Sequence, residues 1–168
     1  LQNIPYGTYT LTISKQFYTK HSLKVIINAE TVTVEAKLKT SFSSAELDLL
    51  ARLVHAEAKG EIYKGQVAVA ASVLNRLIHP DYPNTLSGVI NQVVVVNGKR
   101  YHQYEPVLNG TIKQPAGDLA VNAVWDALAG WDPSLGATGF YAPAKVGSGS
   151  WVRTRPVTVT IGNHRFFK

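Results

Sequence analysis

The sequence predicts an α+β chain: a small β segment over residues 1–40, then a mainly helical domain over residues 41–168 that closes with a β-hairpin. Three observations carry this reading. Residues 8–13 and 31–38 alternate with period two, as half-buried strands do, whereas residues 47–77 repeat their apolar side chains at helical spacing. Thr40-Ser41-Phe42 separates the two textures. Near the end, Gly162-Asn163 divides Val157-Thr158-Val159-Thr160-Ile161 from His164-Arg165-Phe166-Phe167, the pattern of a two-residue type II′ hairpin.

In the first segment, Tyr9, Leu11 and Ile13 share one face of a strand, and Val32, Val34, Ala36 and Leu38 share a face of another. The more continuous run 23–27 lies between them, so three strands are predicted, with turns near 15–20 and 28–30. Three strands alone are marginally stable. The segment is therefore expected to pack on the following domain, or to self-associate with another copy of the chain.

Ser43-Ser44-Ala45-Glu46 has the spacing of a capping box, and a helix is predicted to run from it to about Lys59, with Gly60 as the residue that stops it. Leu47, Leu50, Leu53 and Val54 mark its buried side. A second helix spans 64–78, with Val67, Ala70, Val73, Leu74 and Leu77 inward and small side chains that allow a close neighbour. His79-Pro80 ends it, because a residue before proline is pushed out of the helical region. Asn84-Thr85 is placed to cap a short helix through Asn91, and Asn97-Gly98 predicts a type I′ hairpin between 93–96 and 99–103. A third long helix is predicted from about Pro115 to Gly130, with Leu119, Val121, Val124, Trp125 and Leu128 as its apolar side.

The 168 residues suit one domain plus a small module, and 45% apolar residues suit a packed core. Without Met, the chain reads as a processed form or a fragment, and its start is not that of a signal peptide. No run is long enough to span a membrane. The absence of Cys excludes disulfides and thiolate chemistry. A net charge of +6 and a pI of about 9.6 favour a polyanionic partner. Lys and Arg are scattered rather than clustered, which argues against nucleic acid and for an anionic wall or polymer.

Glu57 is the residue that stands out. It follows Val54 by three positions and Leu50 by seven, so its carboxyl lies on the apolar side of the first helix, one turn from the C-terminal end. A glutamate in a last turn is commonly a solvated surface group. On this face, however, desolvation and the negative end of the helix dipole both favour the protonated form. An acid that stays protonated near neutral pH is what glycosidic bond cleavage needs.

The surrounding sequence adds to this. His55-Ala56-Glu57-Ala58-Lys59-Gly60-Glu61, followed by Gly65-Gln66-Val67-Ala68-Val69-Ala70-Ala71-Ser72-Val73-Leu74-Asn75-Arg76, closely resembles the SleB-type spore cortex-lytic enzymes, a family of cell-wall hydrolases. Further matching pieces follow in order: Tyr82-Pro83-Asn84-Thr85-Leu86, Gln103-Tyr104-Glu105-Pro106-Val107, Ala127-Leu128-Ala129-Gly130-Trp131-Asp132-Pro133, and the final Arg155-Pro156-Val157 to His164. The resemblance covers residues 43–168. It implies a lysozyme-like, mainly helical fold. It also implies cleavage of the β-1,4 bond after N-acetylmuramic acid in peptidoglycan by lytic transglycosylation, with Glu57 as the catalytic acid, outside the cell at the wall or spore. Where the family often ends near a Cys, this chain has Phe167, so a thiol takes no part. Residues 4–13 also resemble, with low specificity, the carboxypeptidase-regulatory-like (transthyretin-like) β-sandwich modules.

A transglycosylase needs one carboxyl, because the sugar's own C6 hydroxyl replaces an activated water; a hydrolase usually needs two. Glu61 is the only carboxyl near Glu57 in sequence, but Gly60 intervenes, so Glu61 is read as an acceptor at the turn on the substrate side. Gln103, Tyr104 and Tyr141 are candidate dipoles for the cationic transition state. Tyr141 and Trp151, in Gly-, Pro- and Ser-rich surroundings, are candidates to stack on sugar rings, whereas Trp125 and Trp131 are read as structural. Arg76 is read as an ion-pair partner near the end of the second helix. Metal is not expected: H-E-x-x-H is absent and the five His are dispersed, so no cofactor is implied. Two alternatives stay open. One is a non-catalytic wall-binding protein on the same scaffold; the other is a muramidase that hydrolyses with a second carboxylate.

Overall fold

The computed structural model describes all residues 1–168 and divides into two units, Leu1–Ser43 and Ser44–Lys168. In the first, β1 (Gly7–Ile13) pairs antiparallel with β2 (His21–Ile27), in a register that sets Thr10 opposite Lys24. The predicted third strand does not join this ladder. Residues 31–38 form no strand, although they still alternate between half-buried and exposed, and the sole bridge here joins Tyr18 to Thr40. Side-chain alternation reports which face meets apolar surroundings; it carries no information on whether the backbone finds a hydrogen-bonding partner.

The second unit is built on a buried helix. α1 (Ser44–Ala58) leads through a tight turn into α2 (Tyr63–Ile78), of which every residue from Gly65 to Leu74 is buried. A helix apolar on all sides belongs at a domain centre. α1, α3 (Leu86–Ile90) and α5 (Asp118–Leu128) pack around it. Gly60 is not the left-handed stop that was expected. α1 ends two residues earlier, and Glu61 donates its backbone N–H to the Ala58 carbonyl at 2.9 Å. α2 ends at Ile78, with His79 extended (φ −90°, ψ 134°) before Pro80. The Thr85 side chain caps α3 by accepting from the Gly88 N–H at 3.1 Å.

α5 buries a different face from the one predicted. Ala120, Ala123, Val124, Ala127 and Leu128 are buried, while Leu119, Val121 and Trp125 are exposed. The buried set keeps helical spacing but consists largely of alanines, which lets α5 approach the small residues of α2. The larger apolar side chains on the outer face obscured this in the sequence. Trp131 is also exposed, with its ring tilted against Tyr63.

Two small sheets complete the unit. β3 (Val93–Val96) and β4 (Lys99–His102) form a hairpin whose turn residues Asn97 and Gly98 both have positive φ (51° and 76°), as type I′ requires. A short helix, α4 (Glu105–Asn109), follows and runs into a 3-10 turn at Thr111–Lys113. Neither was predicted, since five residues are too few to show helical periodicity. In the second sheet, β7 (His164–Phe167) lies between β5 (Gly139–Tyr141) and β6 (Val157–Ile161), both antiparallel to it. Gly162, at φ 56°, turns β6 into β7 in the type II′ manner expected. No helix is long and apolar enough to cross a membrane.

Candidate active site

Glu57 reaches its position because α1 buries Leu50, Leu53 and Val54 against the core and brings the next residue of that face to the domain surface. There it opens into a groove of about 350 Å³. The other walls come from distant parts of the chain: Arg76 near the end of α2, His102 to Glu105 after β4, Phe140 and Tyr141 on β5, Lys145 and Val146 on the following loop, and His164 on β7. A larger hollow, about 930 Å³, lies in the first unit, but among its side chains only Glu30 is charged, and no catalytic set gathers there.

Burial, with the neighbouring negative charge of Glu105 second, raises the Glu57 pKa to about 7, against an opposing effect of Lys145. Glu57 can therefore hold a proton near neutral pH and release it on modest provocation. Tyr104 is almost wholly buried, and its hydroxyl meets no partner within the protein. Burial chiefly raises its pKa to about 12, so it stays a neutral phenol in the groove wall. His164 is buried beside Phe140 and Phe166, and its Nδ1 is likewise unpartnered. Desolvation lowers its pKa, keeping the ring neutral. An unpaired buried polar atom costs stability, so polar groups of this kind gathered at one groove suit a polar ligand that would complete them.

Arg76 is not the ion-pair partner expected. No carboxylate lies within ion-pairing distance of its guanidinium. Its guanidinium instead donates to the Thr138 carbonyl and, at 3.5 Å, to Gln103 Oε1. It also lies over the rings of Tyr82 and Tyr104, at 5.0 and 5.1 Å from their centroids. Arg76 thereby ties α2 to the groove wall that carries Gln103 and Tyr104. One position earlier, Asn75 donates to Asp132 Oδ2 and to the Ala137 carbonyl, each at 3.0 Å, and so holds the loop that leads into β5.

The structure separates the other sequence candidates. Gln103, Tyr104 and Tyr141 line the groove with Glu57. Tyr141 lies in a strand and is buried, rather than standing in a loop. Trp151 is outside the groove, in a 3-10 turn at Trp151–Thr154, exposed on one side and set edge-on to Phe167 on the other. Glu61 is also outside it. Its Oε2 accepts the Asn163 backbone N–H at 2.9 Å, and its Oε1 accepts the Asn163 side-chain amide at 3.0 Å. Burial alone would raise its pKa, but these two hydrogen bonds, together with the nearby His164 and Lys145, outweigh it and hold the carboxyl below its ordinary value. Glu61 thus fastens the β6–β7 turn to the α1–α2 turn. Sequence reasoning passed over Glu105, Lys145, His102 and His164 as groove residues. Only the Gln103-Tyr104-Glu105 run gave a hint, and nothing in its local pattern said that Glu105 would face Glu57. No group of three or more His, Cys, Asp or Glu side chains is disposed to hold a metal ion.

Residues 60–167 match the family described as cell wall hydrolase; the match begins three residues after Glu57. The chain is 40% identical over 136 residues to the spore cortex-lytic enzyme of Oceanobacillus iheyensis, covering 81% of this chain and 46% of that protein. It is 39% identical over 133 residues to the spore cortex-lytic enzyme of Bacillus subtilis strain 168, covering 79% and 41%. The chain thus spans less than half the length of these relatives. Among solved structures, it resembles the catalytic domain of the germination-specific lytic transglycosylase SleB from Bacillus anthracis. That likeness has a TM-score of 0.67 and 37% identity, and covers 76% of this chain and 98% of that one. The catalytic domain of the Bacillus cereus SleB protein gives a TM-score of 0.66 and 38% identity, covering 76% and 93%. The fold of the second unit is therefore lysozyme-like.

Two predictions follow from the electrostatics. A carboxyl whose pKa is higher folded than unfolded costs stability as pH rises from the unfolded value toward the folded one, because the folded state retains the proton. Glu57→Gln should therefore raise the stability of the fold by about 2 kcal/mol at pH 8, allowing for solvent screening of this half-buried group, and by little at pH 4. Chemical denaturation at both pH values measures the difference; an equal change at both would refute the assignment. Glu61→Gln cannot accept both Asn163 donors and should cost about 1 kcal/mol near pH 7. The loss should shrink as pH falls and the wild-type carboxylate protonates. A variant with unchanged unfolding would show that the clasp contributes nothing.

Proposed function

The chain belongs to the cell wall hydrolase family, and from that premise we propose that it cleaves the MurNAc-β-1,4-GlcNAc bond of peptidoglycan as a lytic transglycosylase. The observation that carries this reading is Glu57, a carboxyl with its pKa near 7 at the edge of a polar groove. Glu57 protonates the leaving glycosidic oxygen as the C1–O bond breaks. The C6 hydroxyl of the same muramyl residue attacks C1 and gives its proton to the Glu57 carboxylate, which restores the acid. One bond to C1 breaks and one forms, no water is consumed, and the product ends in a 1,6-anhydro ring. The neutral Tyr104 hydroxyl and the Gln103 amide offer dipoles to the cationic ring in transit. Tyr141 forms part of the groove in which the sugar would lie.

Hydrolysis with Glu61 as the second carboxylate is disfavoured, because both of its oxygens are engaged by Asn163. A purely binding role leaves the raised acid unexplained. The net charge of +6 suits an anionic wall, and the setting proposed is extracellular, at the cell wall or spore cortex. The chemistry is assigned to the second unit, Ser44–Lys168, since every groove residue belongs to it.

Glu57→Gln should leave a folded protein that still binds peptidoglycan and loses turnover by about 10⁴-fold or more, since one residue serves both proton transfers. In the wild type, kcat/KM should fall as pH rises through about 7, where Glu57 loses its proton. Mass spectrometry should find muropeptides ending in anhydromuramic acid; a reducing muramic end as the main product would refute transglycosylation. A chain beginning at Ser44 should still digest sacculi, and its inactivity when folded would sink the assignment to the second unit.

A further inference from the structure

Glu57 shares its groove with a second carboxyl, and the inference drawn from it rests on the lytic reading above. Glu105 opens α4, immediately after the wall residues Gln103 and Tyr104, and lines the same groove as Glu57. It is exposed and forms no ion pair. The wall beside it is built to meet a ligand: the Tyr104 hydroxyl is buried there with no partner in the protein. Arg76, the nearest cation to that wall in hydrogen bonding, is already occupied by the Thr138 carbonyl, Gln103 and two aromatic rings.

We propose that Glu105 is the electrostatic carboxylate of the reaction centre, which stabilises the positively charged sugar in the transition state while transferring no proton itself. A single fixed negative charge in this groove acts in one sense on both partners of the reaction. It opposes a second negative charge on Glu57, which keeps the acid protonated before the bond breaks; it favours positive charge at C1 and the ring oxygen as the bond breaks. The other charged or titratable groups at the groove do not take over the role. Lys145 acts in the opposite sense on Glu57, and His164 is kept neutral by desolvation. His102 has its Nδ1 buried and unpartnered, and Glu61 faces Asn163. Glu105 is therefore the one carboxylate at the groove left free to face a cationic ring.

The test uses the full chain on purified peptidoglycan, with Glu105→Gln and Glu105→Asp compared against wild type and Glu57→Gln. In Glu105→Gln, kcat should fall by about tenfold, a loss between the aqueous and protein-interior limits for one charge. KM should change little, and the alkaline limb of the pH–rate profile should move to lower pH, because Glu57 loses a neighbour that held its proton. The anhydro product should persist, and Glu105→Asp should recover part of the rate. Because Glu105 is exposed, thermal unfolding should match wild type. Unchanged kcat with an unmoved alkaline limb would overturn the proposal, as would a rise in KM alone. A reducing-end product that disappears only in Glu105→Gln would also overturn it, by making Glu105 the activator of a water. Retained turnover in Glu57→Gln would instead refute the underlying lytic reading, so the two failures are distinguishable.

Discussion

The second unit depends on the burial of α2 from every side. From Gly65 to Leu74 every residue of this helix is buried, so its neighbours must cover its whole circumference. Each buried Val or Leu contributes about 1.5–3 kcal/mol through the hydrophobic effect, and the alanines and Gly65 allow neighbours to approach closely. Gly65 has a specific reason to lack a side chain: a Cβ there would stand 3.1 Å from the Glu61 Cβ and 3.7 Å from Ile161 Cγ2. The C-terminal sheet thus comes to rest against the start of α2. A helix enclosed in this way is a fixed frame, and both ends of it set parts of the groove.

At its start, the α1–α2 turn carries Glu61, whose clasp on Asn163 fixes the β6–β7 turn and, one residue on, His164. Gly162 sits at φ 56°, where a side chain is strained, and a Cβ built there would fall 2.1 Å from Glu61 Oε2 and displace the clasp. Near its other end, Asn75 and Arg76 hold the Asp132–Thr138 loop and the Gln103–Tyr104 wall. Asp132 organises that loop further by accepting from the Ser134 N–H at 2.9 Å and the Gly136 N–H at 2.8 Å. The groove is therefore held by polar contacts radiating from one apolar helix. Catalytic geometry gains from such support, because a proton donor must stay within hydrogen-bonding reach of its substrate.

The groove combines two electrostatic environments. Glu57 emerges from the apolar face of α1, where charge is poorly solvated, whereas Glu105 sits exposed at the start of a short surface helix. Across the same surface, Lys145 opposes the effect of Glu105 on Glu57. A groove of this composition can hold one acid protonated and still leave a negative charge facing the ligand.

Much of this was legible in the chain order. The periodicity of residues 47–77 determined that two helices would pack with Glu57 on the inner side, and the Asn97-Gly98 and Gly162-Asn163 pairs determined two hairpins, because turns with positive φ demand particular residues. Three kinds of information were not local. The missing third strand turned on whether a backbone partner was present, and the inner face of α5 turned on how closely alanines could be approached. The partners of Glu57 turned on which of the distant carboxyls the fold would deliver. Glu61 is near in sequence but spent on Asn163, while Glu105 is far in sequence but present in the groove. The sequence by itself determined that an acid would lie on a buried helical face, since period and polarity are properties of neighbouring residues. Only the tertiary structure decided which charges surround that acid, because electrostatic interaction follows distance through space and not position along the chain.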